Sequence, residues 1–189
     1  MSEAFDLHRD RGWEFYDSGK FEEAIAEWRT ALHLNPHNAN LYEWLGHCLK
    51  VGADKVQDKD GWEAAAAAFQ QAINIDPASS YAHHSLGALN WQLGKKQEAI
   101  SALKAAVVAD PNDLEAWVEL VRGQARRGDF RGMTQTIHAI DRLPESEERD
   151  QYYADVNRSW KRIQFGLLIG AGLAATLVGV LIWNRRRRD

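Results

Sequence analysis

The chain is predicted to be all-α: an array of helical hairpins, then a capping helix, then one transmembrane helix. Three features carry that expectation. Asn-Pro or Asp-Pro recurs at Asn35-Pro36, Asp76-Pro77 and Asp110-Pro111, at intervals of 41 and 34 residues. Ahead of each proline stands a segment with alanines at helical spacing around one large apolar residue: Ala24, Trp28, Ala31; Ala65, Phe69, Ala72; Ala99, Leu103, Ala106. Finally, Phe165 to Trp183 is a run of nineteen residues without a charge.

Each hairpin follows from helix-packing physics. Upstream of the alanine segments lie Arg11-Gly12, Leu45-Gly46 and Leu86-Gly87. Small residues there let two antiparallel helices approach closely, the large residue fills the next layer, and the proline ends the second helix. The repeats are expected at about 5–38, 39–79 and 80–113, with a degenerate fourth unit over 114–143. That unit keeps Trp117, Leu120, Gly128-Asp129-Phe130 and Pro144 but has Met133 in place of the packing alanine. Trp28, Trp44, Trp62 and Trp117 are expected in the core. Repeat two carries about seven extra residues around Ala53–Lys59. Being polar, they read as a tolerated turn insertion, or else as a lengthened helix pair that projects a partner contact.

The segments GKFEEAIAEWRTALHLNP (Gly19–Pro36) and GKKQEAISALKAAVVADP (Gly94–Pro111) resemble the second half of a tetratricopeptide repeat. That resemblance implies a superhelical array whose inner groove is lined by the first helix of each pair. The groove residues would be Arg9, Trp13 and Tyr16, then Glu43, His47 and Lys50, then Tyr81, His84 and Trp91, with Glu115, Val118 and Arg122 from the fourth unit. Aromatics mixed with His and Arg suit a protein or peptide ligand bearing apolar anchors and some charge. Trp13 and Trp91 could equally pack between repeats. Tetratricopeptide domains of co-chaperones hold a chaperone's terminal carboxylate with Lys and Asn on their first helices. The matching places here are Arg9, Trp13, Trp44, Tyr81 and Ser85, of which Arg9 alone could substitute, so that clamp is expected to be absent.

Beyond the array, Pro144 with Glu145, Glu147 and Glu148 reads as a helix start. Tyr152, Tyr153, Val156, Trp160 and Ile163 form one apolar stripe, expected to be a capping and juxtamembrane helix over 144–162. The span itself is assigned to 163–184, with a basic tail at 185–189. At about 1.5 Å rise per residue such a helix approaches the roughly 30 Å thickness of a bilayer core. Arg185–Arg188 next to it argue against a buried core helix, and Trp160 and Trp183 suit the interfaces. Gly166, Gly170 and Ala174 form a small-residue face that either packs against another transmembrane helix or self-associates, or is neutral.

Charge and chemistry narrow the function. The chain is at −4; residues 163–189 hold four Arg and one Asp, so residues 1–162 are at −7. An acidic array argues against nucleic-acid binding, which needs Lys and Arg for phosphates. The seven histidines make no His-Glu-x-x-His and the single cysteine no Cys-x-x-Cys, so no metal or cofactor site is expected. No phosphate loop, dinucleotide fingerprint or nucleophile elbow is present, which leaves an enzyme without a supporting constellation. The N-terminus has no apolar stretch of the signal-peptide kind, so insertion is expected through the tail, with the repeats in the cytosol. Basic residues flank the span on both sides, so the positive-inside rule does not orient it. The architecture is similar to tail-anchored receptors and adaptors of the organelle outer membrane and would suit a bacterial inner membrane equally. The expected function is a membrane-anchored interaction adaptor. The alternative is a structural or assembly subunit docked into a membrane complex through its glycine-rich span.

Overall fold

A computed structural model describes residues 3–140 and 142–143 of the 189-residue chain. Among the described residues eight helices follow one another: α1 (Glu3–Asp17), α2 (Phe21–Leu34), α3 (Ala39–Val56), α4 (Lys59–Ile75), α5 (Ser80–Gln92), α6 (Lys96–Ala109), α7 (Leu114–Arg127) and α8 (Phe130–Ile140). They divide into two compact units, one ending at Ala116 and the other beginning at Trp117. Among the described residues no helix is long and apolar enough to cross a membrane. The capping helix, the span and Gly166, Gly170 and Ala174 lie outside them.

In the first unit three hairpins, α1/α2, α3/α4 and α5/α6, share one packing rule. A Cβ added to Gly12 would meet Trp28 at 2.1 Å, one on Gly46 would meet Phe69 at 2.9 Å, and one on Gly87 would meet Leu103 at 2.7 Å. The glycines are therefore the points of closest helix approach, as the sequence predicts. Trp28, Phe69 and Leu103 are buried behind them, and the flanking alanines 24, 31, 65, 72, 99 and 106 are fully buried. The glycine and its large partner are sixteen residues apart in repeats one and three and twenty-three in repeat two. The excess of seven is the insertion.

The connectors repeat as faithfully. Asn35, Asp76 and Asp110 have extended backbone at φ −140°, −124° and −133°, the conformation that a following proline imposes. Each side chain then accepts from the amide two residues on, at 3.2 Å from His37, 3.0 Å from Ala78 and 2.9 Å from Asn112. Asn38, Ser79 and Asp113 cap the next helix by accepting from Leu41, Ala82 and Ala116. Within the hairpins, Gly19 and Gly94 turn the chain at φ +72° and +75°. In repeat two a non-glycine, Gln57, takes the left-handed conformation at φ +55°.

The insertion is helical. It lengthens α3 to 18 residues and α4 to 17, against 13 to 15 for the other helices of this unit. The added turns keep packing, because Ala53 is buried and a Cβ on Gly61 would lie 2.7 Å from the Ala53 Cβ. Asp54 ties the two helices together, accepting from Lys50 Nζ at 2.6 Å and from Trp62 Nε1 at 2.8 Å. The insertion thus lengthens the helix pair and is not a simple turn.

The second unit holds the rest of α7 and α8. Trp117, Leu120, Val121, Gln124 and Ala125 form one buried stripe, and Met133, Thr136, Ile137 and Ile140 another. Gly128 turns the chain at φ +76° and Asp129 caps α8 by accepting from Gly132 at 2.9 Å. Met133 fills the position of the packing alanine, so the worn fourth repeat keeps its hairpin turn.

Candidate functional site

The first helices α1, α3 and α5 lie side by side in the first unit and carry most of the expected groove residues. Tyr16 meets the Trp44 ring at 5.5 Å and the His47 ring at 6.2 Å. His47 Nδ1 is 3.0 Å from the Tyr81 hydroxyl. One aromatic or imidazole group from each of three successive repeats is thereby joined into a strip. Tyr81 is 45% exposed despite its size, and its ring also touches Phe69 at 5.9 Å.

The environment keeps this strip uncharged near neutral pH. Burial, followed by the charge of Lys50, lowers the His47 pKa below the ordinary imidazole value. Burial, with Glu43 nearby and a Ser85 bond opposing, raises that of the Tyr81 phenol. Neutral imidazole and neutral phenol can share one hydrogen bond and still offer polar edges to a ligand.

Most of the charges expected to meet a ligand are held within the protein. Arg9 reaches Asp6 at 2.7 Å and Asp10 at 2.8 Å; the Asp10 bond, against burial, raises its pKa. Lys50 pairs with Asp54, Glu43 accepts from the Ser79 hydroxyl, and His84 lies 3.7 Å from Asp113. Burial works against ionisation of Asp54, but the bonds from Lys50 and Trp62 hold its carboxyl below the ordinary range.

Trp13 belongs with the core as much as with the face. Its ring meets Trp44 at 4.7 Å, Trp28 at 5.2 Å and Tyr16 at 5.9 Å, all edge to face. Trp28 is fully buried and donates to the Arg9 carbonyl at 3.2 Å. Trp117 is buried, whereas Trp44 and Trp62 are only half-buried, and Trp44 joins the aromatic strip expected of its neighbours alone. Trp91 is half-buried on α5. Glu115 stands exposed at the start of α7; Val118 and Arg122 belong to the second unit, Arg122 being exposed. Sequence reasoning also missed Ser79, whose place as helix cap next to Glu43 depends on how successive repeats stack.

A ladder of helical hairpins with a residue-lined first-helix face defines a solenoid interaction fold. Comparisons agree: residues 12–50 and 58–94 match the family described as TPR repeat, and residues 82–123 the one described as tetratricopeptide repeat. Together these matches span more than half of the chain, and the protein belongs to the tetratricopeptide-repeat family.

Among curated proteins, it is 27% identical over 131 residues to the Hsp70-Hsp90 organizing protein of Triticum aestivum, covering 66% of this chain and 21% of that protein. It is 26% identical over 140 residues to tetratricopeptide repeat protein 33 of Mus musculus, covering 74% of this chain and 51% of that one. The chain spans only about a fifth of the length of the organizing protein. Of solved structures, MamA matches with a TM-score of 0.63 at 19% identity over 92% of this chain and all of that one, a likeness of fold. The second TPR domain of human RPAP3, solved in complex with HSP70 peptide SGPTIEEVD, has a TM-score of 0.54 at 27% identity. That match covers 62% of this chain and 92% of the domain.

Proposed function

We propose that the chain is an interaction adaptor, not an enzyme, which holds a peptide or protein segment on the face of α1, α3 and α5. The observation that carries this is the Tyr16–His47–Tyr81 strip, one residue per repeat, linked by the 3.0 Å His47–Tyr81 bond and left partly exposed. With Arg9, Lys50, Glu43 and His84 engaged internally, apolar contact and hydrogen bonding to the strip would supply affinity, with charge secondary. The uncharged run 165–183 would anchor this module to a membrane, its nineteen residues and adjoining arginines supporting that part. Docking of the span into a larger membrane complex is the alternative role for Gly166, Gly170 and Ala174.

Affinity purification of the intact protein tests the adaptor reading. Proteins recovered with it should be lost from a His47→Ala/Tyr81→Ala double variant that keeps its helical circular dichroism. They should be kept by a variant truncated after residue 162. Undiminished recovery by the double variant would refute the groove; loss on truncation alone would favour the assembly-subunit alternative. Extraction of the intact protein from membranes by alkaline carbonate would refute the anchor.

A second ligand class is favoured by the RPAP3 domain, whose structure holds a chaperone peptide. Labelled SGPTIEEVD titrated against the intact protein examines it. Saturable binding that needs the free terminal carboxylate and is lost in Arg9→Ala would support a chaperone tail, while binding without those two dependences would not.

A further inference from the structure

The strip on α1, α3 and α5 has a direction to its hydrogen bonding. The lowered pKa of His47 leaves it neutral near pH 7, and a neutral imidazole has one donor and one acceptor nitrogen. Its Nδ1 lies 3.0 Å from the Tyr81 hydroxyl. Phenol is a stronger acid than the imidazole N–H. Ser85, whose bond favours the ionised phenol, donates to the same oxygen. The Tyr81 proton is therefore assigned to the bond with Nδ1, and the imidazole proton to Nε2. Ser85, Tyr81 and His47 form a relay that ends in an N–H donor.

Tyr16 and Trp44 extend the pattern. Among the described residues the Trp44 Nε1–H, the His47 Nε2–H and the Tyr16 hydroxyl make no bond within the protein, and none of the three is sealed from solvent. Their rings touch one another: Tyr16 meets Trp44 at 5.5 Å and His47 at 6.2 Å, and Trp44 meets His47 at 5.9 Å. The strip thus combines aromatic surface with an excess of donors. Its acceptors are the two phenol oxygens, and Ser85 already engages that of Tyr81. The cations expected on this face are taken, Lys50 by Asp54 and Arg9 by Asp6 and Asp10, so an acidic ligand finds no open partner. The Glu43 carboxylate in turn takes the Ser79 hydroxyl.

We propose that the occupant of this strip is a proline-rich segment of a partner protein in the polyproline II conformation, a ligand class that rests on the adaptor reading above. Proline has no N–H, so a run of it brings carbonyl acceptors and no donors. That complements a strip of donors, whereas an ordinary extended segment brings an amide donor for every carbonyl and a helix has used both. Proline rings pack against aromatic side chains, and the preformed backbone loses little entropy on binding. At three residues per turn and about 3.1 Å each, one face of such a ligand returns about every 9 Å. Packed helices lie roughly 8–10 Å apart. Successive turns therefore match Tyr16 on α1, Trp44 and His47 on α3, and Tyr81 on α5.

The test titrates the full-length protein in detergent micelles against fluorescein-labelled, capped decaproline, read by anisotropy. A capped alanine-glycine decamer, which restores the backbone N–H groups, is run beside it. Saturable binding of decaproline is expected, roughly tenfold or more tighter than the decamer for two or more hydrogen bonds gained. Trp44→Phe and His47→Phe each keep a ring and delete a donor. Each should retain helical circular dichroism and bind decaproline about fivefold more weakly, the worth of one neutral hydrogen bond. No saturable binding, equal binding of the two peptides, or undiminished decaproline binding by either variant would overturn the proposal. If His47→Ala/Tyr81→Ala nevertheless loses the proteins recovered with the intact chain, the adaptor reading stands and the ligand class alone falls.

Discussion

Two glycines six residues apart on α3 make the same substitution act with opposite sign. Gly46 sits where α3 approaches α4: a Cβ there would be 2.9 Å from Phe69 Cε2 and 3.0 Å from its Cδ2 and Cζ. Phe69 is 1% exposed and has little room to withdraw. Gly52, in the lengthened end of the same helix, would meet nothing within 4 Å. Replacing a helical glycine by alanine gains about 1 kcal/mol of helix propensity at either site. Overpacking a well-filled core costs about 1–3 kcal/mol, and only Gly46 incurs it.

Gly52→Ala is therefore expected to stabilise by about 1 kcal/mol, and Gly46→Ala to destabilise by about 1 kcal/mol after the propensity gain is set against the clash. The difference between the two variants isolates the steric part, because helix, substitution and unfolded-state effect are shared. Urea unfolding of the full-length protein followed by far-ultraviolet circular dichroism measures both midpoints. Equal stabilisation by the two variants would show that Gly46 is not a point of enforced close approach, and the packing rule inferred for all three hairpins would fall with it.

Other consequences can be checked with the same material. Gln57→Gly relieves a left-handed residue at φ +55° and gives up an exposed 2.9 Å side-chain bond to the Asp54 carbonyl; a net gain of about 0.5–1 kcal/mol is expected in urea unfolding. Cys48 is the sole cysteine and fully buried, and burial, with Glu22, pushes its thiol up to about 12. A thiol reagent at pH 8 should consequently label it only as the first unit opens, and rapid labelling of the native protein would contradict that burial. For His47, the lowered folded pKa means the unfolded chain binds the extra proton first. Its contribution should then diminish stability as pH falls below about 6.5 and level off once the folded pKa is passed. His47→Gln should flatten this part of the stability–pH curve, and an unchanged slope would refute the assignment.

What could be read from the chain was whatever repeats locally. The glycine, the large residue and the two alanines of each hairpin state a helix–helix contact in one dimension, and Asn35, Asp76 and Asp110 state where it stops. The first-helix face was legible as a set of positions, and Tyr16, His47 and Tyr81 do come together. The use each side chain makes of its position was less legible. Arg9 turns to Asp6 and Asp10 on its own helix, and Trp13 finds three rings from three helices. Both outcomes depend on rotamers and neighbours that no spacing encodes. The insertion shows another limit: polar residues such as Asp54 and Lys55 suggest a turn until Trp62, eight residues on from Asp54, supplies the bond that ties a helix pair together.

Because the three hairpins obey one packing rule, the places where a repeat departs from it can be compared directly. Gln57 departs from the turn glycines, and the insertion beside it accounts for the change; its side chain still reaches the Asp54 carbonyl. The Trp28 indole, larger than Phe69 or Leu103, finds the Arg9 carbonyl for its N–H. His83 stands 3.1 Å from the Pro77 carbonyl. Each departure brings a polar group and each polar group has a partner within the fold. Asn90 brings a carboxamide to a position that Phe15 and Leu49 fill with carbon, and it lines a groove between α4 and α6, where the amide is not sealed from solvent. The departures are therefore accommodated in two ways, by a partner within the fold or by an opening to solvent, and neither disturbs the packing of each glycine against its large residue.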